Sequence, residues 1–265
     1  MPYAQRPDAR IYYEVHGDGE PLLLHPGFGC SVEIYVDNTP ALAERFRVIV
    51  LDPRGHGRSD SPESAYTMRV FADDCAAVLD AAGAESAHVV GASFGGMVAQ
   101  HLALEHPARV RRLVLACTTP GGAHHVSPNP EDAAAFVAAA SEPDMATAVR
   151  MRLKVNYSDA YARDHEDEII ARAKAVPEEF RSEAGTAGQL LAVQGHDTWE
   201  RLPQIAAPTL VLHGADDGIV PVENGRLLAS RIPGARLKVY GGARHVFFIE
   251  RADEFNADVV AFLSS

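Results

Sequence analysis

Cysteine is scarce in this 265-residue sequence: Cys30, Cys75 and Cys117 are its only three, far apart and in no CxxC pair. That argues against a disulfide framework and against a zinc knuckle. Basic residues are outnumbered, 24 Lys+Arg against 36 Asp+Glu, for a formal charge of -12. A surface of that sign repels phosphate backbones and anionic lipids at long range, so neither nucleic acid nor a membrane is expected as a partner. No apolar run approaches membrane-spanning length, and Met1-Pro2-Tyr3-Ala4-Gln5-Arg6 carries no apolar signal core. The expectation is a cytoplasmic protein that meets a small molecule, of unknown oligomeric state. What is present is ordinary: 47% hydrophobic and 23% charged residues, in a length that suits one α/β domain or a core carrying an insertion.

Short, nearly continuous apolar runs recur at residues 22–24, 48–51, 88–90, 113–116 and 210–212. Runs that are apolar on both faces read as strands of a parallel sheet covered by helices. Helical stretches at 70–82 and 96–106 lie between them and end at the breakers Gly83 and Pro107. Residues 11–16 and 46–52 add early strands and 236–240 a late one, so the pattern predicts a doubly wound α/β sheet.

The alternation stops after Thr119-Pro120-Gly121-Gly122. Residues 131–141, 143–155, 160–176 and 177–192 have helical composition, with Pro143 and Pro177 suited to first turns. Asp197-Thr198-Trp199-Glu200 reads as a capping box leading back to strand residues beyond Pro208. The expected organisation is a core of residues 1–120 and 203–265 with a helical insertion at 121–202.

The segment richest in chemistry is His88-Val89-Val90-Gly91-Ala92-Ser93-Phe94-Gly95-Gly96, an apolar strand running into Gly-x-Ser-x-Gly and then a helix. A nucleophile on so sharp a turn needs strained backbone angles and close chain approach, which Gly91 and Gly95 permit. Ser93 is the candidate nucleophile, and the Phe94 NH, at the start of a helix, is a candidate oxyanion donor. Such a serine needs a base and an orienting acid. Gly214-Ala215-Asp216-Asp217 puts two carboxylates after one late strand, and Gly241-Gly242-Ala243-Arg244-His245 puts a histidine after the next. Residue alternation turns one of the adjacent aspartates toward His245 and the other away.

With these motifs, and with Asp52-Pro53-Arg54-Gly55-His56-Gly57-Arg58-Ser59 and Pro26-Gly27-Phe28-Gly29, the chain resembles the α/β-hydrolase-fold superfamily from about residue 10 to 263. The likeness is to capped serine hydrolases, small bacterial esterases and enol-lactonases among them. It implies a mostly parallel sheet of about eight strands with a helical cap, a triad of Ser93, Asp217 and His245, and oxyanion donors at Phe28 and Phe94. The early loop departs from the family pattern: Pro26 stands where histidine directly precedes the glycine, and His25 lies one residue earlier. The loop donor therefore stays open between Phe28 and Gly27. The 52–59 stretch reads as a structural turn.

Other features carry no chemistry in this reading. His124-His125 are adjacent and share no helix face, so no metal is expected, and no cofactor is implied. Cys30 lacks basic neighbours in sequence and reads as packing or pocket wall. Met145, Met151 and Trp199 are candidates to line the substrate pocket. The implied function is hydrolysis of a small carboxylic ester or lactone through an acyl-enzyme. Cleavage of carbon-carbon bonds on the same triad is one alternative; a small-molecule receptor is another, disfavoured by the mixed charged face that Arg150, Arg152, Lys154, Arg163, Asp164, Glu166, Asp167 and Glu168 are expected to form.

Overall fold

A computed structural model describes every residue except Met1, Ala65 and Ser141. Its strands are β1 (Tyr3–Gln5), β2 (Arg10–His16), β3 (Glu20–His25), β4 (Phe46–Leu51), β5 (Ala87–Ala92), β6 (Val110–Ala116), β7 (Thr209–Gly214) and β8 (Arg236–Tyr240). They form one eight-stranded sheet in the order β1-β2-β4-β3-β5-β6-β7-β8. The β1–β2 and β2–β4 pairings are antiparallel and the remaining five are parallel. β3 lies between β4, which follows it, and β5, so the chain reverses its direction of travel across the sheet between β3 and β5. Such a switch point opens a crevice beyond the carboxyl ends of the strands.

The helices are α1 (Thr39–Ala43), α2 (Met68–Ala81), α3 (Phe94–Glu105), α4 (Pro130–Ala140), α5 (Met145–Asn156), α6 (Asp159–Ala175), α7 (Glu183–Gln194), α8 (Val222–Arg231), α9 (Phe247–Glu250) and α10 (Ala252–Leu263). Side chains alternate across the strands, so Leu23, Ile49, Val89 and Val211 pack with α2, α3 and α8. Leu24, Val50, Val90 and Leu212 pack on the opposite face with α1 and α10. The sheet is thus covered on both sides, which is why its central strands are apolar throughout.

Helices α4 to α7 lie between β6 and β7. The two stems of this segment are joined: Gly121 pairs with Asp197, the Gly122 NH donates to His196 O at 3.0 Å, and the Thr198 NH donates to Pro120 O at 2.9 Å. Gly121 has φ +69°, and a Cβ there would sit 2.1 Å from His196 O, so only glycine fits. The segment rests on loops that leave the carboxyl ends of strands. Gln189 accepts from the Gly29 NH and donates to Arg54 O, Phe180 O accepts from the Gly57 NH, and Asn156 O accepts from the Val246 NH.

Its helix starts differ from the proline-based expectation. Asp144 caps α5 by accepting the Thr147 NH at 2.8 Å, and Ser182 caps α7 by accepting the Gly185 NH at 3.0 Å. Pro143 and Pro177 precede the helices they were expected to open, because a side-chain acceptor satisfies the orphan NH groups where proline merely lacks one. The capping box at 197–200 does not form either. Asp197 accepts the Trp199 NH, but Glu200 pairs with Arg231 at 2.9 Å, and a 3-10 segment, Trp199–Gln204, follows.

Candidate active site

Ser93 sits between β5 and α3 with φ 54° and ψ -115°, a conformation L-residues rarely adopt. The turn is possible because a Cβ on Gly91 would lie 2.2 Å from Gly95 O, and one on Gly95 would lie 2.2 Å from His25 O. Both glycines therefore permit contacts that any side chain would block. The Ser93 NH donates to Ala116 O at 2.8 Å and the Thr118 hydroxyl donates to Ser93 O at 2.8 Å, tying the turn to the end of β6.

β7 and β8 carry the other two groups. The Ala215 NH donates to Tyr240 O at 2.9 Å and the Asp216 NH to Ala243 O at 3.0 Å, so the loops after β7 and β8 are stitched together. Their side chains meet the elbow. His245 Nε2 lies 3.0 Å from Ser93 Oγ, and His245 Nδ1 lies 2.8 Å from Asp217 Oδ2. Asp216, by contrast, is exposed and makes no side-chain bond to the histidine.

Asp217 is buried at 4% exposure, which opposes ionisation, yet its carboxyl is held well below the usual range. Electrostatic attraction to His245, its hydrogen bond to Oδ2 and the nearby His213 imidazole together outweigh the burial. Its Oδ1 also accepts the Ile219 and Val220 NH groups, at 3.0 and 2.8 Å. His213, fully buried on β7, lies 2.7 Å from Val220 O and 3.5 Å from Asp217 Oδ2. Its only sequence signal is a strand-end histidine four residues before an aspartate.

Parallel pairing of β3 with β5 sets His25 opposite Gly91 and brings loop 26–30 beside the elbow. In that loop the Gly29 NH is taken by Gln189 and the Cys30 NH by Gly27 O. Among the described residues the Gly27, Phe28 and Phe94 NH groups have no protein acceptor. The Phe28 and Phe94 rings meet edge-on at 6.5 Å. His25 is buried with Nδ1 2.9 Å from Pro26 O, and desolvation pushes it down to about 4. It is a neutral core group. Asp52 is also structural: it accepts the Val32 and Arg58 NH groups and shapes the 52–59 turn.

Met145 and Met151 are half-buried on α5. Trp199 opens the 3-10 segment of the returning stem. Its ring stacks on His124 at 4.4 Å, lies under the Arg231 guanidinium at 4.9 Å, and packs with the cluster of α2, α3 and α8. Arg152 departs from the expected charged face, with its Nε buried. Its charge reaches the Cys30 thiol, which burial nevertheless pushes up to about 11, so the basic neighbour absent from the local sequence arrives from α5. His125 Nδ1 contacts Gly122 O, and no group of three or more His, Cys, Asp or Glu able to hold a metal occurs among the described residues. No helix among them is long and apolar enough to cross a membrane.

A hydrogen-bonded Ser-His-Asp line, buried at its acid and half-buried at its serine, beside free NH donors is an arrangement able to move a proton and stabilise an oxyanion. The family model described as alpha/beta hydrolase fold matches residues 20–252. The chain belongs to the α/β-hydrolase fold family. A protein of Azorhizobium caulinodans named as the carbamate hydrolase RutD is 36% identical to it over 276 residues, covering 99% of this chain and 98% of that one. The 2-hydroxy-6-oxo-6-phenylhexa-2,4-dienoate hydrolase of Comamonas testosteroni is 33% identical over 265 residues, covering 97% and 92%. Among solved structures, the enol-lactonase from Burkholderia xenovorans superposes with a TM-score of 0.87 at 28% identity over the whole of both chains. This α/β hydrolase is therefore an enzyme, and the receptor alternative gives way.

Proposed function

We propose that this α/β hydrolase cleaves a small carboxylic ester or lactone through an acyl-enzyme on Ser93. The observation that carries the reading is the continuous line from Ser93 Oγ through His245 to Asp217, at 3.0 and 2.8 Å. In the proposed reaction Ser93 Oγ attacks the carbonyl carbon while His245 Nε2 takes its proton. Asp217 holds the Nδ1–H and stabilises the imidazolium. The Phe94 NH and a loop NH, from Phe28 or Gly27, receive the oxyanion. Collapse expels the alcohol, which leaves with the proton from His245; water, deprotonated by the same nitrogen, then releases the acid and restores Ser93. With a lactone the alcohol stays tethered to the acyl group.

Residues 121–202 act in this reading as a cap that selects substrates, since they rest on the loops around the elbow. Met145 and Met151 are the proposed lining residues. The placement of Trp199 favours anchoring of the returning stem over contact with substrate. The similarity to an enol-lactonase supports the lactone arm. A second reading, carbon-carbon bond hydrolysis on the same residues, is favoured by the 33% identity to the Comamonas dienoate hydrolase.

A panel of 4-nitrophenyl esters, a γ-lactone followed by pH-stat and a 2-hydroxy-6-oxo-dienoate followed by loss of colour separates the readings. Repeated turnover of an ester or the lactone, with the dienoate inert, is expected. Turnover of the dienoate alone moves the assignment to carbon-carbon cleavage, and one slow acylation followed by arrest removes catalysis from the account.

A further inference from the structure

Arg152 lies one helical turn before Asn156, whose carbonyl accepts the NH of Val246, the residue after His245. The carboxyl end of α5 therefore meets the histidine loop, and Arg152 lies one turn inside that end. Leu153 and Tyr157 beside it pack in one cluster with Ala92, Cys117 and Val246. The guanidinium lies 5.4 Å from the centre of the Phe136 ring on α4, and its charge acts on Cys30, two residues beyond Phe28. Arg152 thus stands against α4, near Cys30 at the end of the oxyanion loop, on the helix whose carboxyl end meets the loop of the proposed base.

What it lacks is a counter-charge. Its Nε is buried without an acceptor, and no carboxylate lies within ion-pair distance of it among the described residues. The other charge that acts on it besides Cys30 is Arg181, of the same sign. Cys30 offers no anion, because burial keeps the thiol protonated. In a chain with acids in excess, a half-buried guanidinium left unpaired carries a desolvation cost that packing against one aromatic ring offsets only in part. Arginine stays charged even so, and its planar fork matches a carboxylate with two parallel hydrogen bonds.

We propose that Arg152 is an anion subsite of the active centre, receiving a carboxylate on the part of the substrate remote from the scissile carbonyl, so that the substrate class is a small carboxylate-bearing ester or lactone. This rests on the ester or lactone reading of the Ser93 site. It also assigns a specificity role to a residue that the sequence places among solvent-facing charges.

The test compares mono-4-nitrophenyl glutarate with its neutral amide isostere, and glutarate binding by calorimetry. In the full-length protein the anionic ester should have the higher kcat/KM despite the net negative charge of the chain. Arg152→Gln should lower the anionic-to-neutral ratio by about tenfold or more, the contribution of a charge-assisted pair, through KM more than kcat. Arg152→Lys, which keeps the charge and loses the fork, should fall between. Glutarate should bind Ser93→Ala protein and lose that binding in Ser93→Ala/Arg152→Gln. The binding arm needs no turnover, so it reports on the subsite even where the ester reading fails. A wild-type preference for the neutral isostere, an unchanged ratio in a folded Arg152→Gln protein, or glutarate binding indifferent to Arg152 overturns the proposal.

Discussion

Every residue of β5 and β7 is buried, whereas α4 buries Ala139 alone, α6 buries Ala162 and Ile170, and α5, which carries the proposed lining residues, buries four of its twelve. The ion pairs differ in the same way. Arg54 and Asp74 pair at 2.8 Å with both side chains almost wholly buried, while Arg150–Glu166 and Arg172–Glu168 in the insertion are exposed. Exposed pairs contribute about 0–1 kcal/mol, and breaking a buried pair costs about 3–5 kcal/mol. The groups proposed for chemistry hang from the first kind of structure and those proposed for substrate choice from the second. Rigid strand ends can hold reacting atoms to a fraction of an ångström, and a lightly buried insertion can vary its lining without disturbing them.

The largest effect that could break this division is at the acid. Asp217→Asn keeps the shape but favours the wrong tautomer of His245, and a loss of at least about a hundredfold in kcat is expected. Asp216→Asn, on the exposed side of the same loop, should cost under about tenfold. Both are measured on one ester at matched folded fraction by circular dichroism. The reverse order moves the acid to Asp216; two mild effects remove the triad.

The junction of the two regions gives the next effect. His101 on α3 and His196 in the returning stem lie 3.3 Å apart, and each is pushed down to about 4, both chiefly by desolvation. Buried His25 is lowered to the same point. A folded pKa below the unfolded one means that the unfolded chain binds more protons between pH 6.5 and 4. Stability from these groups is therefore complete above about pH 6.5 and lost as pH falls through 4, by up to about 1.4 kcal/mol per pH unit for each group. Asp217, whose folded carboxyl is also depressed, extends the loss to lower pH. Denaturant unfolding at pH 7, 5.5 and 4.5 should show this decline, and a flat profile would contradict it.

The smallest effect sharpens the comparison. Met145→Ala and Met151→Ala should each reorder activity across acyl lengths by a few fold while leaving the pH–rate profile in place, and Trp199→Phe should leave the ranking alone. An unchanged ranking in both methionine variants, or a shifted pH profile, would remove the division between selection and chemistry.

Where one segment contains its own cause, the sequence was readable. The run before Ser93 is apolar because β5 is covered on both faces, and Gly91 and Gly95 are glycine because the chain closes on itself there. The 236–240 strand matches β8 to the residue. β1 and α1, only three and five residues long, are too short to show a period. Pro143 and Pro177 misled because the competing acceptors, Asp144 and Ser182, are ordinary polar residues until a helix forms behind them. The inward turn of Arg152 and the meeting of His213 with the acid loop depend on contacts between distant segments, which no local pattern encodes. The bond between Gln189 and the Gly29 NH, 160 residues apart, is of the same kind.

The central claim is that Ser93, presented by the strained turn and joined to His245, carries the covalent step. Incubation with a fluorophosphonate, followed by peptide mass spectrometry, tests it directly. The account predicts one adduct per chain, on the peptide containing Ser93, with ester turnover lost in proportion, and no adduct and at least about a thousandfold lower turnover in Ser93→Ala protein. Full labelling at another residue, or an Ser93→Ala protein that retains more than about a tenth of the rate, would contradict it.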